Sequence, residues 1–163
     1  MRVFDETGLK LSRMQAETFV LSASKMNCSS AIFIRRFMLS AVASRMDQPA
    51  FLHEECDENK ILQEIEEEFG ITDYGIEKYS TEELYWIGYL YRYWCYTRNM
   101  SSKQVYKFIK PKELRALYFP YHSLDPSQAI DRILEAKGFK KVDYTKKGVE
   151  ILRRIMTDRK NND

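Results

Sequence analysis

The chain has 163 residues, of which 44% are apolar and 31% are charged, and its formal net charge is +2 at pH 7. These values exclude a disordered chain, and the length is that of one domain with one hydrophobic core. The three cysteines are widely spaced and form no Cys-x-x-Cys pair, which excludes a disulfide framework and a thiolate zinc site.

The N-terminal part of the chain predicts two helices. Proline and glycine are scarce, and apolar residues mostly recur at intervals of three and four, which is the spacing of a helix face. A first helix is expected over residues 13–25. A second, capped by Ser29 or Ser30, is expected to continue until Pro49, because proline cannot extend the hydrogen-bond ladder of a helix.

The middle of the chain predicts an acidic helix followed by an aromatic one. Asp57 is the expected cap of the acidic helix, and Gly70 is its expected stop. Ser80 and Glu83 have the Ser-x-x-Glu spacing of a capping box, in which each side chain binds the backbone N–H of the other residue. The aromatic helix should therefore begin there and run to about Arg98.

The C-terminal part predicts three short helices. Ser101 is positioned to cap the first of them. Pro111 suits the first turn of the second, and Pro120 is expected to close it. Asp125 is the expected cap of the third, which should end at Gly138.

The remaining residues complete the predicted fold. A short extended piece is expected at residues 139–144, then a final helix through residues 151–155, and a frayed tail from about residue 157. We therefore predict an all-α fold, a compact single-domain bundle of six to eight helices over residues 1–163 with the aromatic helix at its centre.

The charges are distributed unevenly along the chain. Residues 54–83 carry twelve acidic and two basic side chains, a net charge of −10, whereas residues 98–163 carry sixteen basic and eight acidic ones. Such a division either orients a protein towards a charged partner or reflects two solvated faces that attract each other within the fold.

The aromatic helix holds seven of the 22 aromatic residues of the chain, all between Tyr85 and Tyr96. It is predicted either to be a core helix or to present part of its surface to a partner, because Tyr, Trp and Arg dominate binding energy at protein interfaces. Helical geometry places one group of residues on one side of this helix, namely Leu84, Ile87, Tyr91, Trp94 and Cys95. Roughly opposite lies a second stripe, which the partner-binding interpretation expects to be exposed, namely Tyr85, Tyr89, Arg92 and Tyr96. The candidate partner-binding residues are Tyr85, Trp86, Tyr89, Arg92, Tyr93 and Tyr96.

Residues 99–122 allow a second interpretation, a helix-turn-helix variant that binds DNA. In that motif the N-terminal residues of the recognition helix reach base edges, and neighbouring lysines contact phosphate. The candidate nucleic-acid contacts are Ser102, Lys103, Gln104 and Lys107. The turn contains no glycine, and the acidic segment upstream would repel phosphate.

The sequence predicts neither catalysis nor a cofactor. His53 and His122 are isolated, and there is no nucleophile elbow, glycine-rich phosphate loop or His-Glu-x-x-His motif. His53 and Cys56 would make only half of a metal site, and His122 is expected to be a turn residue bonded to backbone. The N-terminus has no apolar run suited to a signal peptide, and no stretch reaches the length of a membrane helix, so we expect a cytoplasmic protein.

Two blocks of the chain carry a resemblance to a known family. They are "IFIRRFMLSAVASRMD", residues 32–47, and "YWIGYLYRYWCYTRNMSSKQVYKFIKPKELRALYFPYHSLDPSQAIDRIL", residues 85–134, which together make about 65 of the 163 residues. This pairing resembles small uncharacterised bacterial helical proteins that are encoded beside toxin-like ADP-ribosyltransferase genes. The resemblance implies an antitoxin or partner-binding role, and it brings no catalytic residues.

Taken together, these observations predict a non-catalytic protein-binding module, an antitoxin-like protein that binds and neutralises a cytoplasmic toxin. The acidic run would supply charge complementary to a basic partner. The alternative is a helix-turn-helix-like transcriptional regulator that binds DNA, and the two functions do not exclude each other. The sequence leaves homo-oligomerisation open.

Overall fold

The computed structural model describes residues 1–139, 150–151 and 153–157. Within these residues every regular element is a helix, which confirms the predicted all-α fold. The elements in chain order are α1 (Glu6–Lys25), α2 (Ser30–Leu39), α3 (Ala41–Met46), a 3-10 helix (Pro49–His53), α4 (Glu58–Phe69), α5 (Thr81–Arg98), α6 (Ser102–Phe108), α7 (Pro111–Tyr121) and α8 (Pro126–Ala136).

The predicted helix caps agree well with the structure. The Asp57 carboxylate accepts a hydrogen bond from the backbone N–H of Lys60 at 2.9 Å at the start of α4. Ser80 and Glu83 form both hydrogen bonds of the predicted capping box at the start of α5. At the other end of α4, Gly70 has a φ of 82°, in the left-handed region that glycine enters without steric cost.

Two predicted helix boundaries in the first half are wrong. Helix α1 begins at Glu6 instead of residue 13, because the Asp5 carboxylate caps it and accepts a hydrogen bond from the N–H of Gly8 at 3.1 Å. The predicted second helix is divided at Ser40, whose extended backbone ends α2 and caps α3. The Ser40 hydroxyl accepts a hydrogen bond from Ala43 N–H at 3.0 Å and donates one to Phe37 C=O at 2.6 Å.

The predictions for the end of the chain have mixed outcomes. Pro120 does not close α7, because the helix continues to Tyr121 with Pro120 in its last turn. Residues 150–151 and 153–157 are helical, with Ile151 and Ile155 buried, as predicted for the final helix. The predicted extended piece, beyond Phe139, and the tail beyond residue 157 lie outside the described residues.

The centre of the fold is the packing of α5 against α1. The two helices are antiparallel, since Gly8 near the start of α1 lies against the ring of Tyr96 near the end of α5, and Ala16 lies against Gly88. A Cβ atom at Gly88 would stand 2.9 Å from Ala16 Cα and 3.0 Å from the backbone oxygen of Gln15. Gly88 therefore allows the two backbones to approach closely.

A connection without regular secondary structure, residues 70–80, joins α4 to α5. The Lys78 ammonium donates hydrogen bonds of 2.6 Å to the carbonyl oxygens of both Met26 and Cys28, where α1 passes into α2. The Ser30 hydroxyl accepts a hydrogen bond of 2.9 Å from the N–H of Tyr79. These bonds tie the beginning of α5 to the beginning of α2.

Replacing Gly88 with alanine tests the α1–α5 packing. Helix propensity alone would raise the free energy of unfolding by about 1 kcal/mol. We expect the steric conflict with α1 to lower it instead, by about 1–3 kcal/mol, as for overpacked cores. Chemical denaturation of both proteins measures the difference, and an unchanged or raised free energy of unfolding would show that the helices do not meet closely at this position.

Candidate functional site

The inner face of α5 is the first of the two sides that helical geometry predicts. Leu84, Ile87, Tyr91, Trp94 and Cys95 are all buried. The Tyr91 hydroxyl donates a hydrogen bond of 2.6 Å to the carbonyl oxygen of Ile109, which follows α6. Burial raises the pKa of the Cys95 thiol to about 12, so this thiol stays protonated at neutral pH. These residues are part of the hydrophobic core.

The opposite face of α5 is only partly exposed, which corrects the prediction of an open stripe. Arg92 and Tyr96 are buried, with 1% and 6% of their surface exposed. Tyr85 is 38% exposed, and Tyr89 and Tyr93 are half-buried. On this face, Tyr85 near the start of α5 is thus more exposed than Arg92 and Tyr96 nearer its end.

Arg92 is buried because it joins a polar network that links four parts of the fold. Its Nε donates to Gln15 Oε1 of α1 at 2.7 Å. One terminal nitrogen donates to Asp47 Oδ1 at 2.6 Å, at the end of α3, and the other to Ser102 Oγ of α6 at 2.8 Å. Gln15 and Asp47 were not among the predicted site residues, because they are 77 and 45 positions away from Arg92 in the chain.

The predicted DNA-contacting residues of α6 have different positions in the structure. Ser102 is buried, and its N–H donates to both carboxylate oxygens of Asp47 at 3.0 Å, so its prediction as a base-contacting residue is wrong. Gln104 is half-buried, and its side-chain oxygen accepts a hydrogen bond from Ser101 N–H at 2.9 Å in a capping box. Lys103 and Lys107 are exposed.

Three tyrosines at intervals of four form a stacked row along α5. The ring centroids of Tyr85 and Tyr89 are 6.3 Å apart, those of Tyr89 and Tyr93 are 6.5 Å apart, and both pairs are inclined by 20°. We call Tyr85, Tyr89 and Tyr93 the tyrosine ladder. Phe4, from the segment before α1, packs on it, with its ring centroid 4.5 Å from that of Tyr93. The ladder therefore already holds an aromatic side chain at one end.

The ladder is a neutral surface with polar tips. Burial is the main cause that raises the pKa of Tyr89, and the neighbouring Tyr85 hydroxyl adds to it. The pKa of Tyr93 is raised by burial and by the charge of Asp125 at the start of α8. These phenols are therefore protonated at neutral pH and can donate hydrogen bonds from rings whose faces are apolar.

A second aromatic group connects α5 with α7. Trp86 lies edge to face against Tyr118, with their ring centroids 5.8 Å apart, and the Tyr118 ring stacks on His122 at 4.5 Å. His122 Nδ1 is 2.9 Å from the carbonyl oxygen of Tyr118, which confirms its predicted bonding to backbone. The neighbouring Phe119 is 86% exposed.

The segment before α1 is tied to α5 through Tyr96. The Tyr96 hydroxyl donates a hydrogen bond of 2.7 Å to Asp5 Oδ1, and the guanidinium of Arg2 lies 4.6 Å from the centre of the Tyr96 ring. The hydrogen bond from Tyr96, followed by that from Gly8 N–H, lowers the pKa of the Asp5 carboxyl below its ordinary value of 3.8. Tyr96 thus holds the segment that carries Phe4.

Among the described residues, no group of three or more His, Cys, Asp or Glu side chains is arranged to hold a metal ion. Of the helices in the same part of the chain, none has the length and apolar character needed to cross a bilayer. Comparisons with models of known families, with curated proteins and with solved structures find no match to this chain.

Replacing Arg92 with methionine tests the buried network. The substitution removes the guanidinium but retains much of its volume. It leaves Gln15 Oε1 without its donor and the Asp47 carboxylate without its cation, while Ser102 still donates to Asp47. We expect the free energy of unfolding to fall by about 3–5 kcal/mol, as when one partner of a buried ion pair is removed. Lys10→Met is the matched control, because Lys10 pairs with Glu6 at 3.3 Å on the exposed surface of α1. Chemical denaturation should show a loss within about 1 kcal/mol for the control, and equal losses would contradict a structural role of Arg92.

Replacing Tyr96 with phenylalanine tests the bond to Asp5. The lowered pKa stabilises the fold above pH 3.8, and this contribution is lost as the pH falls through the folded-state pKa. Without the Tyr96 hydroxyl, we expect the pKa of Asp5 to rise towards 3.8, measured by NMR titration of the carboxyl carbon. Tyr106→Phe should leave the Asp5 titration unchanged. If the pKa of Asp5 is the same in the Tyr96→Phe variant as in the unmodified chain, this bond is not formed in solution.

Proposed function

We propose that this chain is a non-catalytic protein-binding module, an antitoxin-like cytoplasmic protein that binds a toxin and neutralises it by covering its surface. The observation that carries the proposal is the tyrosine ladder of Tyr85, Tyr89 and Tyr93, a row of stacked rings that is open at the Tyr85 end. It is the kind of surface on which interface hot spots form.

The geometry of the ladder favours binding. Each tyrosine has a large ring and few rotatable bonds, so ordering it in a complex costs little conformational entropy. The stacking along α5 already restricts the rings, which reduces that cost further. Phe4 packs on Tyr93 and Tyr89, so a partner that presents an apolar side chain to Tyr85 would extend a row of contacts that already exists.

Only some carboxylates of the acidic segment, residues 54–83, are available to a basic partner. Some of its carboxylates are used within the fold, since Arg45 pairs with Glu54 and Glu64, and Arg115 pairs with Glu77 and Glu83. Other acidic side chains of residues 54–83 form no ion pair within the described part of the chain; they include Glu55, Glu66, Asp73 and Glu82. These free carboxylates are the ones that could face a basic protein.

The predicted partner-binding residues divide into residues that would contact the partner and residues that would support them. Tyr85, Tyr89, Tyr93 and Trp86 are the contact residues, because part of each ring is accessible. Arg92 and Tyr96 are buried and would act by holding the ladder and the Phe4 segment in place. The identification of the partner as a toxin rests on the resemblance carried by residues 32–47 and 85–134.

Binding can be measured with the product of the gene that neighbours this one. We expect that product to co-purify with the chain and to inhibit growth when it is expressed alone. The double substitution Tyr85→Ala and Tyr89→Ala should weaken binding by roughly 30-fold or more, the effect of losing a hot spot of about 2 kcal/mol. Tyr74→Ala is the matched control, because Tyr74 is 73% exposed on the connection before α5. Calorimetric titration of each variant gives the dissociation constants.

Two results would overturn the proposal. If the neighbouring product neither co-purifies nor harms the cell, the antitoxin function is wrong. If it binds but the Tyr85 and Tyr89 double variant binds as well as the Tyr74 control, the partner uses another surface.

A further inference from the structure

A group of basic side chains lies on the surface formed by α2 and α6. We define the basic cluster as Arg35 of α2, Lys103 and Lys107 of α6, and Lys110 just after α6, and all four are exposed. Helices α2 and α6 pack against each other. Lys103 and Lys107 are four residues apart on one helix, so they project from the same side of α6.

Aromatic and electrostatic interactions connect three of the four cations, Arg35, Lys107 and Lys110, around Tyr106. The Lys110 ammonium lies 4.2 Å from the centre of the Tyr106 ring. The pKa of Lys110 is lowered, by burial first and then by the positive charges of Lys107 and Arg35. The charge of Arg35 also acts on the Tyr106 hydroxyl. Positive charges from two helices are thus close enough to repel one another around one tyrosine.

None of the four side chains of the basic cluster forms an ion pair within the described part of the chain. Glu113 is the acidic group that acts on Lys110, but its carboxylate is bound by the Lys137 ammonium at 3.0 Å. Crowded cations without a partner are unfavourable, and an anion bound between them would remove the repulsion.

The chemistry of the cluster suits the phosphates of nucleic acid. Its three lysines can bind phosphate as point charges, and its arginine can bind phosphate through the planar guanidinium fork. The Tyr106 ring, half-buried among the cations, is the type of side chain on which a nucleic-acid base or sugar can rest. Ser102 is buried and the Gln104 side chain is bound in a capping box, so neither of these two predicted base-contacting residues is free to read a base sequence.

We propose that the basic cluster binds the phosphate backbone of nucleic acid without reading its sequence. This surface shares no residue with the tyrosine ladder, so the inference does not depend on the function proposed for the ladder. It also differs from a helix-turn-helix, because the binding groups come from α2 as well as α6 and none of them enters a groove to contact bases.

The test is a fluorescence anisotropy titration of the full chain with labelled nucleic acid of arbitrary sequence. Titrations with a duplex of about 20 base pairs and with a single strand of the same length show which of these two forms of nucleic acid supplies the bound phosphates. With four phosphate contacts we expect the logarithm of the association constant for duplex to fall with the logarithm of salt concentration with a slope of about −3 to −4. Affinity should then fall roughly a hundredfold between 50 and 200 mM salt.

Two sets of variants distinguish binding at the basic cluster from a general effect of the protein's positive charge. The triple variant R35Q, K107Q and K110Q should bind at least tenfold more weakly and have a slope smaller by about two to three. The matched control K25Q, K60Q and R132Q removes the same number of exposed charges elsewhere and should retain wild-type affinity within about threefold. If the first triple variant does not fold by circular dichroism, the pair K103Q and K107Q on α6 replaces it.

Several outcomes would overturn the inference. They are an absence of binding to both nucleic acids at low salt, an equal loss of affinity in the control variant, and binding of polyglutamate or anionic vesicles as tight as that of nucleic acid. The last outcome would assign the cluster to an acidic protein or a membrane surface instead.

Discussion

The buried guanidinium of Arg92 connects four helices of the fold, α1, α3, α5 and α6. Arg92 lies in the core, where a charge is costly unless it is paired and hydrogen-bonded. It is satisfied by Gln15 of α1, by Asp47 at the end of α3 and by Ser102 at the start of α6. These contacts fix how α5 is rotated and where α6 begins. They also account for the burial of Arg92, whereas Tyr85 on the same face of α5 is exposed.

The features of the fold that depend on neighbouring residues could be predicted from the sequence. The caps at Asp57 and Ser80 and the glycine stop at Gly70 need only side chains and backbone within a few positions. The break at Ser40 could not be predicted in the same way. Its surroundings have good helical periodicity, and the serine hydroxyl competes with the helix by binding the backbone locally.

The candidate site was harder to predict, because exposure depends on tertiary contacts. Helical geometry correctly places Tyr85, Tyr89, Arg92 and Tyr96 on one side of α5, yet it carries no information on what covers that side. Tyr96 is covered by the segment before α1, which binds it through Asp5. The basic cluster likewise joins residues of α2 and α6 that are far apart in the chain. The proposed binding surfaces are therefore products of the packing.

The proposed role of the open ladder is tested most directly by photo-crosslinking in the complex. A photoreactive phenylalanine derivative at position 85 places the probe at the accessible end of the ladder, and the same derivative at position 74 places it on an exposed site outside the ladder. Irradiation of the complex should produce a covalent adduct with the partner from position 85 and none from position 74. Adducts from position 74 alone, with none from position 85, would contradict the assignment of the ladder as the surface that binds the partner.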